Sequence, residues 1–107
     1  MEAVVVSRGE LWWLETPDEK GRPVVVISRD RANQVVMQRV MVAPVTRTIR
    51  KAPSQLPLGP DEGLVTESVA NFDDLASVPK AMLVRRIGDL GPRTFELCLA
   101  IRAMSDC

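Results

Sequence analysis

Gly21-Arg22-Pro23-Val24-Val25-Val26-Ile27-Ser28 carries the strongest local signal in the chain. Val24 to Ile27 are β-branched without a break, and branching at Cβ favours the pleated strand over the helix. No polar residue alternates with them, so both faces of this strand must be covered and it reads as fully buried. Pro23 fixes φ at the strand entry. Upstream, Thr16-Pro17-Asp18-Glu19-Lys20-Gly21 is a run of turn formers that closes an earlier strand over Glu10-Leu11-Trp12-Trp13-Leu14.

Downstream, Arg39 to Thr46 reads as another strand, with Pro44 marking an edge or a bulge. Ser54 to Leu58 runs into the turn Gly59-Pro60-Asp61-Glu62-Gly63, Ser68 to Phe72 alternates, and Leu83 to Ile87 is a further short strand. Asp30 to Asn33 reads as a short helix interrupting the sheet. After Gly91-Pro92, which suits a first helical turn, Phe95, Cys98, Ile101 or Arg102, and Met104 recur at helical spacing, with Leu97 and Leu99 widening the stripe. About five short strands and one amphipathic C-terminal helix predict a mainly β fold, a small barrel with the helix packed across it.

The 107 residues suffice for one core, so residues 1–107 are expected to form a single domain. Apolar residues are 46% and charged residues 26%, which excludes a largely disordered chain. With no His, imidazole acid–base chemistry and most transition-metal sites are excluded, and neither a metal nor another cofactor is expected. Cys98 and Cys107 are expected as two free thiols of a reducing compartment. The acidic start lacks a signal-peptide pattern, and no apolar run approaches the ~18 residues of a membrane span. A cytoplasmic protein without a membrane partner is therefore expected.

The net charge is zero, which excludes a strong whole-molecule pull on nucleic acid, but the charges are sorted. Between Lys20 and Lys51 stand eight basic residues and one acid, Asp30, a surplus of seven. The first nineteen residues carry −4 and the chain from Ala52 onward −3. Such a basic stretch suits a phosphate-binding face or, equally, charged edges that keep strands apart. Charge alone leaves both open.

Five stretches stand in a fixed order: Arg8-Gly9-Glu10-Leu11-Trp12-Trp13, Gly21 to Ser28, Val42-Ala43-Pro44-Val45-Thr46, Ser68-Val69-Ala70-Asn71-Phe72-Asp73, and Arg85-Arg86-Ile87-Gly88. In this order and spacing, across nearly the whole chain, they resemble the MazF/PemK toxin family. The resemblance implies an SH3-like barrel that forms a homodimer. It further implies metal-independent, sequence-specific cutting of single-stranded RNA, and a cognate antitoxin, acidic and partly disordered, as partner. Carried over residue by residue, the family's functional Arg at the start of the second strand falls on Arg22, and its functional Thr at the end of the third on Thr46.

These residue types suit attack by a 2′-hydroxyl on the adjacent phosphorus. A guanidinium forks onto phosphate oxygens, a hydroxyl donates beside it, and Arg is too weak an acid to serve as the base. Candidate RNA contacts are Ser28, Asn33, Arg47, Arg50, Lys51, Ser68 and Asn71. Each also has a plain alternative: a turn cap for Ser28 and Asn33, a solvated loop for Arg47, Arg50 and Lys51, a strand edge for Ser68 and Asn71. Arg85 and Arg86 read as a dimer-interface or surface feature, and Trp12-Trp13 as one ring on each face of a strand. The chain departs from the family pattern in a short Glu15–Gly21 connection, in Gly21 where a second basic residue is common, and in Arg47-Thr48 after Thr46.

Three other functions compete. A gyrase-directed toxin resembling CcdB shares the fold, but it acts through a C-terminal Trp-Gly-Ile and this sequence ends Met104-Ser105-Asp106-Cys107. A non-catalytic barrel binding a peptide or protein would want exposed aromatics, and aromatic residues are only 4%. An inactive copy that merely binds an antitoxin is compatible with the sequence.

Overall fold

The structure, a computed structural model, describes residues 6–28 and 39–102. Asn33, and the short helix expected over Asp30 to Asn33, lie outside the described residues. The strands are β1 (Glu10–Thr16), β2 (Glu19–Val26), β3 (Arg39–Thr46), β4 (Gln55–Leu58), β5 (Ser68–Asn71), β6 (Ala76–Pro79) and β7 (Leu83–Asp89), followed by helix α1 (Phe95–Arg102). They run antiparallel in the order β4-β5-β3-β2-β1-β7, with β6 pairing β3. The sheet curls into a half-barrel carrying the C-terminal helix, the expected mainly β, SH3-like architecture.

β6 was not anticipated. Ala76-Ser77-Val78-Pro79 has one large apolar residue, and its pairing with Arg39–Val42 is long-range, so no local pattern announces it. Pro44 also sits differently from its reading as an edge or bulge. β3 is central, pairing β2 along one side, while on the other β6 covers Arg39–Val42 and β5 covers Val45–Thr46. Met41 O accepts from Ile27 N on the β2 side. By strand alternation the position of Pro44 faces the other side, where β3 passes from β6 to β5. A residue without an N–H loses no ladder bond at that junction.

β1 and β2 form a hairpin in which Thr16 pairs Glu19 around Pro17-Asp18, with an irregularity between Leu14 and Thr16. The turn is tighter than the sequence implied. Glu19 to Arg22 are drawn into the ladder, and Arg22 lies within β2 opposite Leu14 rather than at the strand's start.

The unbroken apolar run of β2 is explained by two cores. Val25 and Ile27 join Leu11, Ala43, Leu56, Ala70, Phe72 and Leu97 on one face of the sheet. Val24 and Val26 join Val6, Leu14, Val40, Val42, Val78 and Leu83 on the other. Trp12 packs against the second cluster.

Helix α1 covers the first core through Leu97 and Ala100, with Ile101 beside them. Burying Leu97 completely stabilises the helix by about 1.5–3 kcal/mol. Of the predicted stripe, Leu97 and Ile101 pack on the core, whereas Phe95 and Leu99 are 65% and 57% exposed. Gly91–Thr94 forms a separate 3₁₀ turn before the helix. Cys98 is disulfide-bonded, correcting the reading of a free thiol at that position. Cys107 lies outside the described residues. Among the described residues no helix is long and apolar enough to cross a membrane.

Candidate functional site

The β2–β3 ladder pairs Val26 with Val42, Val25 with Ala43 and Val24 with Pro44. The ladder ends at Val24 and Pro44, and two residues beyond it stand Arg22 on β2 and Thr46 on β3. The two residues are distant in sequence, yet both border the same two cavities at this end of the sheet.

The larger cavity, about 680 Å³, is bordered by Arg22, Thr46, Arg47, Ser68, Trp13 and Arg85, among others. That size falls in the range of small-molecule sites. Three arginines and no acid line it, so its field favours an anion. The second, about 380 Å³, adds Arg50, Gln55, Asn71 and Asp74 to Arg22 and Thr46.

Thr46 Oγ1 accepts from Thr48 N at 3.1 Å. The bond uses a lone pair and leaves the hydroxyl proton available to a further acceptor. It also tightens the turn that carries Arg47. Buried Gln55 holds the next segment, with Oε1 accepting from Arg50 N at 2.7 Å and Nε2 donating to Thr48 O at 3.2 Å. Lys51 follows with φ of 55°, the left-handed conformation that a non-glycine residue adopts only when its surroundings impose it. The cationic loop after Thr46 is thus fixed from below by one glutamine amide.

The remaining sequence candidates divide. Arg47 and Ser68 join Arg22 and Thr46 at the larger cavity, and Arg50 and Asn71 join them at the smaller. Ser68 is buried and its Oγ donates to Thr66 O at 3.2 Å. Both polar atoms of Asn71 are engaged, Oδ1 by Asp73 N and Nδ2 by Asp74 Oδ2, so it caps the 3₁₀ turn Phe72–Asp74 as well as bordering the cavity. Lys51 faces an adjoining depression that shares Gln55 and Ser68 with the others.

Ser28 is not brought to the site. Its Oγ accepts from Met41 N at 2.6 Å and ties the far end of β2 to β3, roughly 20 Å from Arg22 at ~3.3 Å per residue. Among the described residues no group of three His, Cys, Asp or Glu forms a metal-binding arrangement.

Trp13 and Arg85 were not among the candidates. The Trp13 ring lies against the backbone of Gly21, and the Arg85 guanidinium carbon stands 5.7 Å from the ring centroid. The signal for Trp13 was its place in the hairpin, opposite Pro23. Arg85 enters only through the pairing of β7 with β1, which sets it opposite Trp13.

A family model described as PemK-like, MazF-like toxin of type II toxin-antitoxin system matches residues 7–102. Among curated relatives, the chain is 41% identical over 103 residues to the probable endoribonuclease MazF5 of Mycobacterium tuberculosis, covering 94% of each chain. It is 40% identical over 104 residues to the probable endoribonuclease MazF2 of the same species, covering 95% of this chain and all of that one. Among solved structures, the Mycobacterium tuberculosis toxin MazF-mt6 superposes with a TM-score of 0.80 at 28% identity, covering 92% of this chain and 98% of the other. A mycobacterial endoribonuclease solved in complex with its cognate antitoxin shares the fold, with a TM-score of 0.79 at 24% identity over 94% of this chain and 93% of the other.

Proposed function

Since the chain belongs to the PemK-like, MazF-like toxin family of type II toxin–antitoxin systems, we propose that it is an endoribonuclease toxin that cuts single-stranded RNA at the cleft that Arg22 and Thr46 both border. The observation that supports this site is that Arg22 and Thr46 border the same two cavities, the larger lined by three arginines and no acid.

In this reading the ribose 2′-oxygen forms a bond to the adjacent phosphorus and gives up its proton to water, while the bond from phosphorus to the 5′-oxygen breaks and that oxygen takes up a proton from water. The products are a 2′,3′-cyclic phosphate and a 5′-hydroxyl. Arg22 grips the non-bridging oxygens with its planar fork of donors. Thr46 donates its hydroxyl proton to the same group while Thr48 N holds its oxygen in place. Holding the nucleophile in line supplies part of the rate. Donors already aimed at the developing charge supply more, each worth ~10²–10³ in rate. Arg47 and Arg50 guide the flanking phosphates, and no step calls for a metal ion.

The partners follow from the same chemistry. A cognate antitoxin with an acidic, partly disordered segment suits the basic surplus between Lys20 and Lys51. The relative solved with its cognate antitoxin supports that expectation. A homodimer is the expected assembly and the cytoplasm the expected compartment, where RNA and antitoxin are met.

The deciding experiment incubates purified protein with a mixed RNA pool in EDTA and sequences the 5′-hydroxyl ends. Wild type is expected to cut at a defined short sequence. Arg22→Ala is expected to fold normally and to lose cleavage at least a hundredfold. Undiminished cutting by that variant removes Arg22 from the site, and a strict need for a divalent metal removes the mechanism.

A further inference from the structure

Trp13 and Arg85 form one wall of the larger cavity, and the phosphate-clamp reading gives them no task. The indole is held on two sides. Its edge lies against the backbone of Gly21, and its Nε1 donates to Glu15 Oε1 at 3.1 Å. Over the ring stands the Arg85 guanidinium, 5.7 Å from the centroid, within the reach of cation–π attraction.

The neighbouring arginine makes the contrast. Arg86, on the opposite face of β7, donates to Glu10 Oε2 at 2.9 Å and also bonds Asp89, so its charge is matched by acids. Arg85 has no acidic partner among the described residues and is exposed at the cleft. Strand alternation has sorted an Arg-Arg pair into one structural residue and one turned toward the cavity.

We propose that Trp13 and Arg85 form a nucleobase-recognition station beside the scissile phosphate, with Arg85 setting the base preference of the cut. This inference rests on the endoribonuclease reading above and deepens it. The bases of a single strand are unstacked and offer their edges and faces freely. When RNA arrives the guanidinium swings off the ring, and the indole face it uncovers is one on which a base stacks whatever its identity. Identity is then read by the fork of Arg85, whose paired N–H donors fit two adjacent acceptors. Guanine has such a pair in O6 and N7, cytosine in O2 and N3, while adenine and uracil interleave donors with acceptors. Bidentate contacts of this kind discriminate between bases by about five- to hundredfold.

The test compares 5′-hydroxyl-end profiles from a mixed RNA pool cut by wild type, Arg85→Ala and Arg85→Lys, with incubation lengthened for slower variants. Wild type is expected to enrich guanine or cytosine at one position next to the cut. Both variants are expected to flatten that position by about five- to hundredfold and to keep the rest of the profile, since lysine retains the charge but not the fork. A wild-type profile without that enrichment, or variants with the wild-type profile, overturns the proposal while leaving the endoribonuclease reading intact.

If a variant does not cut at all, binding decides. Trp13 emission is followed in a Trp12→Phe background while non-cleavable 2′-deoxy oligonucleotides containing guanine, cytosine or adenine are added. Tighter binding of the guanine or cytosine strand, lost in Arg85→Ala, supports the station; equal affinity for all three overturns it. Wild type that neither cuts nor binds these strands overturns the endoribonuclease reading, and this inference with it.

Discussion

The α-carbon of Gly21 faces the pyrrole edge of Trp13 so closely that a Cβ at position 21 would lie 2.1 Å from Nε1 and 2.4 Å from Cε2. Family resemblance leads one to look for a second basic residue just before Arg22. The indole fills the space that its side chain would need, and glycine stands there instead.

Gly21→Ala is accordingly expected to push the indole off the strand. Overpacking of this kind costs about 1–3 kcal/mol, and the displaced ring would also crowd Arg85. Urea denaturation and RNA cleavage should both fall below wild type. The double variant Gly21→Ala/Trp13→Leu should recover much of the stability, because the clash is specific to the pair. A Gly21→Ala protein as stable as wild type would contradict the contact.

At Thr46 the chemistry can be separated from the shape. Thr46→Ser keeps the hydroxyl and should retain most of the cleavage rate. Thr46→Val keeps the volume and removes both the donor and the acceptor that Thr48 N uses. A loss of ~10²–10³ in kcat is expected for Val, measured on a single synthetic RNA. Equal rates for the two variants would take the hydroxyl out of the mechanism.

Gln55 makes no expected contact with RNA, yet its amide holds Arg50 N and Thr48 O. Gln55→Leu fills similar space and leaves both backbone groups without that partner. A stability loss of about 1–3 kcal/mol is expected, with a fall in RNA affinity as the cationic loop loosens. Hydrogen exchange at the amide of Arg50 should quicken; unchanged exchange there would show that the loop is held by something else.

Acid should weaken the joint between the helix and the barrel. Arg93 donates to Pro57 O at 2.7 Å, pairs Glu62 Oε2 at 3.0 Å and pairs Glu96 Oε2 at 2.8 Å. The hydrogen bond from Arg93 holds the Glu96 carboxyl below its ordinary value of 4.5. A carboxyl whose folded value is depressed adds stability above the unfolded value and loses it as pH falls through the folded one. The stability gap between wild type and Glu96→Gln, at most about 1 kcal/mol for a partly exposed pair, should therefore be full near pH 7. It should close below pH 4.5. Urea titrations at the two pH values measure it, and a gap that persists in acid would contradict the pairing.

Local chemistry was enough for much of the fold. Val24 to Ile27 could be nothing but a buried strand, because four β-branched residues in a row have no helical face to offer and no polar side to show water. Arg39 to Thr46 and Gly59 to Gly63 were legible for similar reasons of branching and turn chemistry, whereas Arg22 and Thr46 were singled out only by the family resemblance that five short stretches carry. Other features depended on residues that meet only when the chain is folded. β6 exists because Val40 and Val42 require a neighbour, not because Ala76-Ser77-Val78-Pro79 insists on being a strand. Pro44 is central because two different strands meet β3 on either side of it. Ser28 and Thr46, alike as small hydroxyl residues near strand ends, were parted by the fold, one bound to Met41 N at the far end and the other bordering the cavities that Arg22 borders. Arg85 and Arg86 differ only by the alternation of one strand, yet that decides which of them meets the cleft. Sequence periodicity marks most of the segments that become strands, whereas pairing, register and curvature decide which side chains share a space, and those are settled by the packing of both cores at once.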